Sequence, residues 1–345
     1  MTPIAFFIFL SSLAIGTTTT LASHHWILAW IGLEINTLAI IPLMTKTPHP
    51  RAIEAATKYF LTQAAASALI LFSSLINTWI YGEWDILSMS SPTSTPLSIA
   101  ICMKLGLAPL HFWMPEVLQG IPLSTGLILS TWQKIAPMTL LIQISHVSNL
   151  YLMLSLGFIS IMIGGWGGIN QTQLRKIMAF SSIGHLGWMI VILKFSPQLT
   201  LFNFILYLMM TSAMFLTLMS INATNMLKLS TSWPKTPTLT VISMLTLLSL
   251  GGLPPLTGFA PKLIISMELV KQNASILAST ILLLSLLALF FYIRMTYILS
   301  LTMSPDTNQS QISWRPHSKI SPMITLMNLS ALILLPVSPT ILALL

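Results

Sequence analysis

Charge is what this chain has least of. Of its 345 residues only 6% are charged, against 54% hydrophobic, whereas a soluble domain carries roughly a quarter charged side chains. The scarcity excludes a soluble globular fold, and a mean hydropathy of +0.85 agrees. Cysteine is rarer still: Cys102 stands alone, which excludes a disulfide framework and leaves an iron-sulfur cluster without its about four ligands. No G-x-G-x-x-G follows a strand pattern, so a dinucleotide-binding fold is excluded too. The stretch 3–22 lacks a basic n-region and a small-residue cleavage site, and is read as a retained helix, not a signal peptide.

What is present is a succession of apolar stretches of about 20 residues, enough to cross a ~30 Å hydrocarbon core. The expected fold is an all-α polytopic membrane protein with eleven spans, at 3–22, 25–44, 58–80, 96–118, 123–146, 149–170, 175–194, 199–222, 238–270, 274–299 and 321–343. The net charge of +8 sets topology and gives no reason to expect nucleic acid. Alternate loops on the N-terminal face hold Lys46, Arg51, Lys58, Arg175, Lys176, Lys228, Lys235, Arg315 and Lys319, with Arg294 able to snorkel there; the other face holds Lys194 and Lys271. The N-terminus is therefore placed on the side of synthesis and the C-terminus opposite.

Three basic residues belong to no loop: Lys104, Lys134 and Lys262. Lys104 precedes the first, and Lys262 ends the second, of two similar segments, "LGLAPLHFWMPE" (105–116) and "GGLPPLTGFAPK" (251–262). At an offset of 146 residues Gly106 matches Gly252, Leu107 Leu253, Pro109 Pro255, Leu110 Leu256 and Pro115 Pro261. The segments fall in the fourth and ninth spans. An odd separation of five spans inverts the second copy, the pattern of transporters whose ion sites lie where broken helices meet. Pro109, Pro254 and Pro255 are expected to break the two helices. The organisation read from this is a first five-helix repeat over 1–148, an inverted second repeat over 149–300, and a loop with a C-terminal helix over 301–345. Kinks that shape packing alone are the bland alternative.

By helix rise, Glu34 lies ~14 Å into the second span, Lys104 ~12 Å into the fourth, Lys134 ~16 Å into the fifth, and Lys262 ~12 Å from the far end of the ninth. A charge at such depth costs about 2.5–3.5 kcal/mol even on the lenient insertion scale, so four require pairing, hydration or loss of charge. Snorkelling is the competing reading for a lysine, but the stem does not easily reach headgroups from that depth. Lysine suits proton handling because withdrawal from water favours its neutral form and a nearby carboxylate favours the charged one. Glu34, the one carboxylate deep in a span, is the natural partner of Lys104. His111 and His185 are candidate members of the same relay, with packing as the alternative. The pair His24–His25 beside Trp26 reads as an interfacial anchor before a metal site, and "GGWGG" (164–168) as a close helix contact. No metal or cofactor site is expected.

The segments "WIGLEINTLAIIPL" (30–43), "EAATKYFLTQAAAS" (54–67), "KLGLAPLHFWMPEVLQGIP" (104–122), "LSTWQKIAP" (129–137), "NQTQLRKIMAFSSIGHLGWM" (170–189) and "LSLGGLPPLTGFAPK" (248–262) closely resemble the chain 2 family of NADH:ubiquinone oxidoreductase, mitochondrially encoded membrane subunits of respiratory complex I. The resemblance implies an antiporter-like, non-redox subunit that moves protons across the inner mitochondrial membrane. Electron transfer from NADH to ubiquinone, with flavin and iron-sulfur clusters, then belongs to other subunits. It also implies partners among the neighbouring antiporter-like and other membrane-arm subunits, lipids such as cardiolipin, and a matrix-facing N-terminus with the C-terminus in the intermembrane space. The family's glutamate falls on Glu34 and its three lysines on Lys104, Lys134 and Lys262. Two other functions fit the residues alone: an autonomous sodium/proton antiporter, for which a lone deep carboxylate offers few oxygens, and a structural spacer.

The topology is open to a direct check. A cysteine introduced by Thr47→Cys should react with an impermeant thiol reagent from the matrix side only, and one introduced by Glu83→Cys from the opposite side only.

Overall fold

The computed structural model describes residues 2–233, 236–300 and 322–344. Lys235, Arg315, Lys319 and the loop expected over 301–320 lie outside the described residues. The chain divides into two compact units, Met1–Ser160 and Ile161–Leu345. Among the described residues seven helices are long and apolar enough to cross a membrane. The other four expected spans are each divided in two.

The first unit holds α1 (Pro3–Leu21), α2 (Trp26–Met44), α3 (Pro50–Tyr81), α4 (Ser91–Leu105), α5 (Trp113–Gly120), α6 (Leu123–Ser130), a single 3-10 turn (Trp132–Lys134) and α7 (Ile135–Gln143). Helix α8 (Leu150–Ile169) runs across the boundary. The second unit continues with α9 (Leu174–Leu193), α10 (Pro197–Ile221), α11 (Met226–Ser230), α12 (Pro237–Gly251), α13 (Phe259–Lys271), α14 (Ser275–Ser300), α15 (Pro322–Ile333) and α16 (Ser338–Leu344). Proline opens α1, α3, α4, α10 and α12 in the first turn, where its missing N–H has no helical partner to lose. Serine and threonine are tolerated inside these apolar helices because their hydroxyls bond back to carbonyls three or four residues earlier, as Thr17 does to Leu13 and Ala14.

Small residues let backbones touch where lipid supplies no hydrophobic drive between helices. In the first unit α1 and α2 meet at Gly16 and Gly32: a methyl on Gly16 would lie 2.6 Å from Asn36 Oδ1 and 2.9 Å from the Gly32 carbonyl oxygen. This contact fixes α2, which carries Glu34, against α1. In the second unit the expected "GGWGG" contact is present and serves two partners. Gly164 faces the Gly184 backbone and Gly167 the Phe180 ring on α9, while Gly165 and Gly168 face Leu287 and Phe291 on α14.

Each unit also contains one antiparallel bridge of the same form. In the first, Trp26 N–H donates to Trp84 O and Ile86 N–H to His24 O around the pair His25–Asp85. In the second, Leu174 N–H donates to Thr224 O and Met226 N–H to Thr172 O around Gln173–Asn225. Three residues before each bridge a left-handed residue closes the preceding helix, Gly82 (φ 77°) after α3 and Asn222 (φ 57°) after α10. Both pairings fasten a helix turn to a loop further along the chain. His24 and His25 thus serve this fastening: the His25 ring stacks on Trp84 at 5.3 Å and its Nδ1 accepts the Ile27 N–H at the start of α2.

The close approach of α8 to α9 yields a prediction. Gly164→Ala places a methyl 2.7 Å from the Gly184 nitrogen, and backbone cannot yield as a side chain does. The variant should lose about 1–3 kcal/mol, read as a lower thermal unfolding temperature of the complex that contains the chain.

Candidate functional site: lysines at helix interruptions

Helix α4 ends because Gly106 takes the left-handed conformation (φ 78°, ψ 39°), which a Cβ would resist. Its N–H bonds to Met103 O at 3.1 Å, and the Leu107 N–H reaches Cys102 O at 3.0 Å. Helix α12 ends in the same way: Gly252 (φ 79°, ψ 45°) bonds to Ser249 O at 2.9 Å, and Leu253 N–H to Leu248 O at 3.4 Å. The residues Pro109, Pro254 and Pro255 lie in the non-helical connections that follow. A glycine stops each helix, and the prolines keep it from resuming.

The fifth expected span, read as continuous over 123–146, is interrupted as well. It leaves helical geometry at Thr131 (φ −112°, ψ −70°) and passes through the 3-10 turn that ends on Lys134. The cause is Pro137, which lacks the N–H that would bond Gln133 O and whose ring crowds that carbonyl. The last expected span is likewise divided, at 334–337 beside Pro336.

In the first unit a cavity of about 10 Å³ of space open to a water's centre, room for about one water, is lined by Lys104 and Lys134 together with Asn36, Thr37, Tyr59, Gln63, Trp113 and Gln133. Lys104 (6% exposed) and Lys134 (3%) come from α4 and the 3-10 turn. The freed carbonyls of the break are bonded: Gln63 Nε2 donates to Lys104 O at 3.5 Å and Trp113 Nε1 to Met103 O at 3.2 Å. Across the cavity Gln133 Nε2 donates to Asn36 O at 3.2 Å. Among the described residues the Lys104 ammonium and both polar atoms of the Asn36 side chain have no hydrogen-bond partner. Such groups are costly in a dry interior.

Glu34 is half-buried, and its carboxylate accepts a hydrogen bond from Thr37 Oγ1 at 2.9 Å. The ion pairs among the described residues are Lys58–Glu54, Lys58–Glu116 and Lys271–Glu268, so Glu34 and Lys104 are not in direct contact. His111 folds onto its own turn, with Nδ1 3.3 Å from Pro109 O and its ring against Phe112, and does not line this cavity. Outside the apolar region Lys58 bridges Glu54 (2.6 Å) and Glu116 (2.7 Å), tying α5 to α3; its hydrogen bond holds the Glu54 carboxyl below the usual carboxylate range.

The second unit has a cavity of about 20 Å³ by the same measure, also of single-water scale, lined by Lys262, His185, Ser181, Ser285, Tyr292 and Trp188. Lys262 reaches back from the first turn of α13 and donates to Gly251 O at 2.7 Å, the last carbonyl of α12. A cation there is favoured by the carbonyl end of the helix. Its stem lies over Gly252, where a methyl would come within 2.9 Å of Cδ, Cε and Nζ. His185 faces Tyr207 at 5.9 Å between ring centres. Arg294, expected to snorkel, donates to Ile169 O at the end of α8 (2.6 Å).

Residues 23–288 match the profile of the "NADH:quinone oxidoreductase/Mrp antiporter, TM" family, and 289–342 that of the "NADH dehydrogenase subunit 2 C-terminus". The chain belongs to the NADH:quinone oxidoreductase/Mrp antiporter membrane family. Among its relatives is NADH-ubiquinone oxidoreductase chain 2 of Aquarana catesbeiana, 70% identical with 100% of both chains covered. That of Xenopus laevis is 62% identical over 98% of this chain and 99% of the relative. The fold is that of a chain in respiratory complex I of Thermus thermophilus (TM-score 0.85, 24% identity, 98% of this chain and 79% of that one). It is also that of a chain in the Mrp complex of Dietzia sp. (TM-score 0.78, 16% identity, 96% and 73%).

Within this family member the lysines singled out by depth all sit at interruptions, one of which the sequence reading overlooked. Its signal was available. Each helix after a lysine-bearing break carries proline as its third residue: Pro115 in α5, Pro137 in α7 and Pro261 in α13. Thr37 and Gln133 were also missed, being ordinary polar residues until the fold sets them beside Glu34 and Lys134.

Gly252→Ala tests the second break. The left-handed backbone and the Lys262 stem both oppose a methyl, so we expect a loss of about 1–3 kcal/mol in thermal unfolding, with Lys262 Nζ displaced from Gly251 O in a structure of the variant.

Proposed function

We propose that this chain is the antiporter-like, proton-translocating subunit of the complex I membrane arm in the inner mitochondrial membrane. Its partners are neighbouring membrane-arm subunits, and lipids such as cardiolipin fill its exposed apolar faces. Flavin, iron-sulfur clusters, NADH and ubiquinone are held by other subunits, and this chain takes no part in electron transfer. The observation that carries the reading is that Lys104, Lys134 and Lys262, all withdrawn from water, stand at interrupted helices beside polar cavities. Such an amine costs too much to keep for packing alone. Beside a cavity able to admit water it can take up and release a proton as a nearby carboxylate changes charge or distance.

In this scheme Glu34 sets the affinity of Lys104 for its proton, and Lys134, on the same cavity, receives the proton next. Lys262 exchanges it with the far side, with His185 alongside. His111, folded on its turn, is the weakest member. The twin bridges and twin glycine stops support reading 1–148 and 149–300 as inverted five-helix repeats, followed by a matrix loop and C-terminal helix over 301–345. We place eleven crossings, with the N-terminus in the matrix and the C-terminus in the intermembrane space, on the distribution of basic loops.

The test is Lys104→Met and, separately, Lys262→Met in the assembled complex reconstituted in vesicles. Each should lower NADH-driven proton pumping about a hundredfold or more, while NADH oxidation by an artificial acceptor at the redox arm stays normal. Pumping at an unchanged proton-to-electron ratio would rule the scheme out.

A further inference from the structure

Glu34 does not line the lysine cavity, and the proposed scheme couples the two. Thr37 spans that interval. One helical turn beyond Glu34 on the same face of α2, its hydroxyl donates to Glu34 Oε2 at 2.9 Å and also to Glu34 O at 2.9 Å. The same side chain, 6% exposed, lines the cavity with Lys104 and Lys134, whereas Glu34 does not line it. Among the described residues no other hydrogen bond reaches the Glu34 carboxylate from the cavity wall.

The other polar groups in the wall are ill suited to the task. Asn36 and Gln133 present amides, which donate and accept but do not readily hand on a proton. Tyr59 has a hydroxyl, but it is not bonded to Glu34. A threonine hydroxyl has one proton to give and lone pairs to receive another, so it passes a proton without gaining or losing charge.

Resting on the proton-translocation reading above, we propose that Thr37 is the relay between Glu34 and the lysine cavity. The step balances as follows: the Thr37 O–H proton moves to Glu34 Oε2, the Thr37 oxygen takes a proton from the Lys104 ammonium through a water in the cavity, and the lysine is left neutral and the glutamate protonated. Reversal restores the charged pair, and the recharged Lys104 then hands its proton to Lys134. The unpartnered Lys104 ammonium and Asn36 side chain, which border the cavity, provide sites to hold that water.

The experiment compares Thr37→Val, which keeps the shape and removes the hydroxyl, with Thr37→Ser, which keeps the hydroxyl, in the assembled complex in vesicles. Thr37→Val should slow NADH-driven pumping about ten- to a hundredfold, and Thr37→Ser should restore it to within about threefold. In infrared difference spectra of turnover, the protonation signal of the Glu34 carboxyl should weaken in the valine variant and return in the serine variant. If Thr37→Val fails to assemble, Thr37→Ala carries the same comparison with serine. Wild-type pumping by the valine or alanine variant, or a serine variant as impaired as either, would overturn the relay. Because Lys104→Met tests the wider scheme separately, a normal Thr37→Val beside an inactive Lys104→Met would remove the relay and leave the scheme standing.

Discussion

A peptide carbonyl in hydrocarbon must find a donor, since no water is there to supply one. That single demand organises the chain. Where its helices run unbroken the demand is met internally, and where they stop it is met by a left-handed glycine, a tryptophan indole, a glutamine amide or, at Gly251, a lysine ammonium. Interruptions are therefore the places where polar side chains have reason to be drawn into the apolar interior. The three deep lysines, Lys104, Lys134 and Lys262, stand there.

Much of this was written plainly in the sequence. Length and periodicity of the apolar stretches locate the helices, and depth along them picks out Glu34, Lys104, Lys134 and Lys262. The repeated "LGLAPL" and "GGLPPL" segments marked two interruptions. The left-handed glycine at the head of each interruption is less conspicuous than the prolines that follow it, because only backbone angles reveal it. Pro137 escaped notice because one proline in an apolar run is common. Its meaning depends on standing third in a helix that could not be delimited from pattern alone. Contacts such as Thr37 with Glu34 or Lys58 with Glu116 depend on register and on which faces meet, and periodicity gives neither to the nearest residue.

The two units use the same backbone solution with different charges. Glu116 and Lys262 occupy matching places 146 residues apart. The first turns outward, where it meets Lys58 at 2.7 Å in exposed surroundings, and an ion pair of that kind contributes little to stability. The second turns inward onto Gly251. In the first unit the amines instead come from the helix end and the 3-10 turn, so the shared break constrains where a cation can sit without dictating which residue supplies it.

The clasp of Lys262 on Gly251 has a mechanical side. A charged donor holds a carbonyl roughly twice as firmly as a neutral one, so an amine that sheds its proton slackens its grip on the end of α12. The terminal peptide is then freer to turn, and the stem resting on Gly252 loses its anchor. If Lys262 exchanges a proton as proposed, occupancy by a single hydrogen ion and the tightness of a helix joint become two readings of one variable.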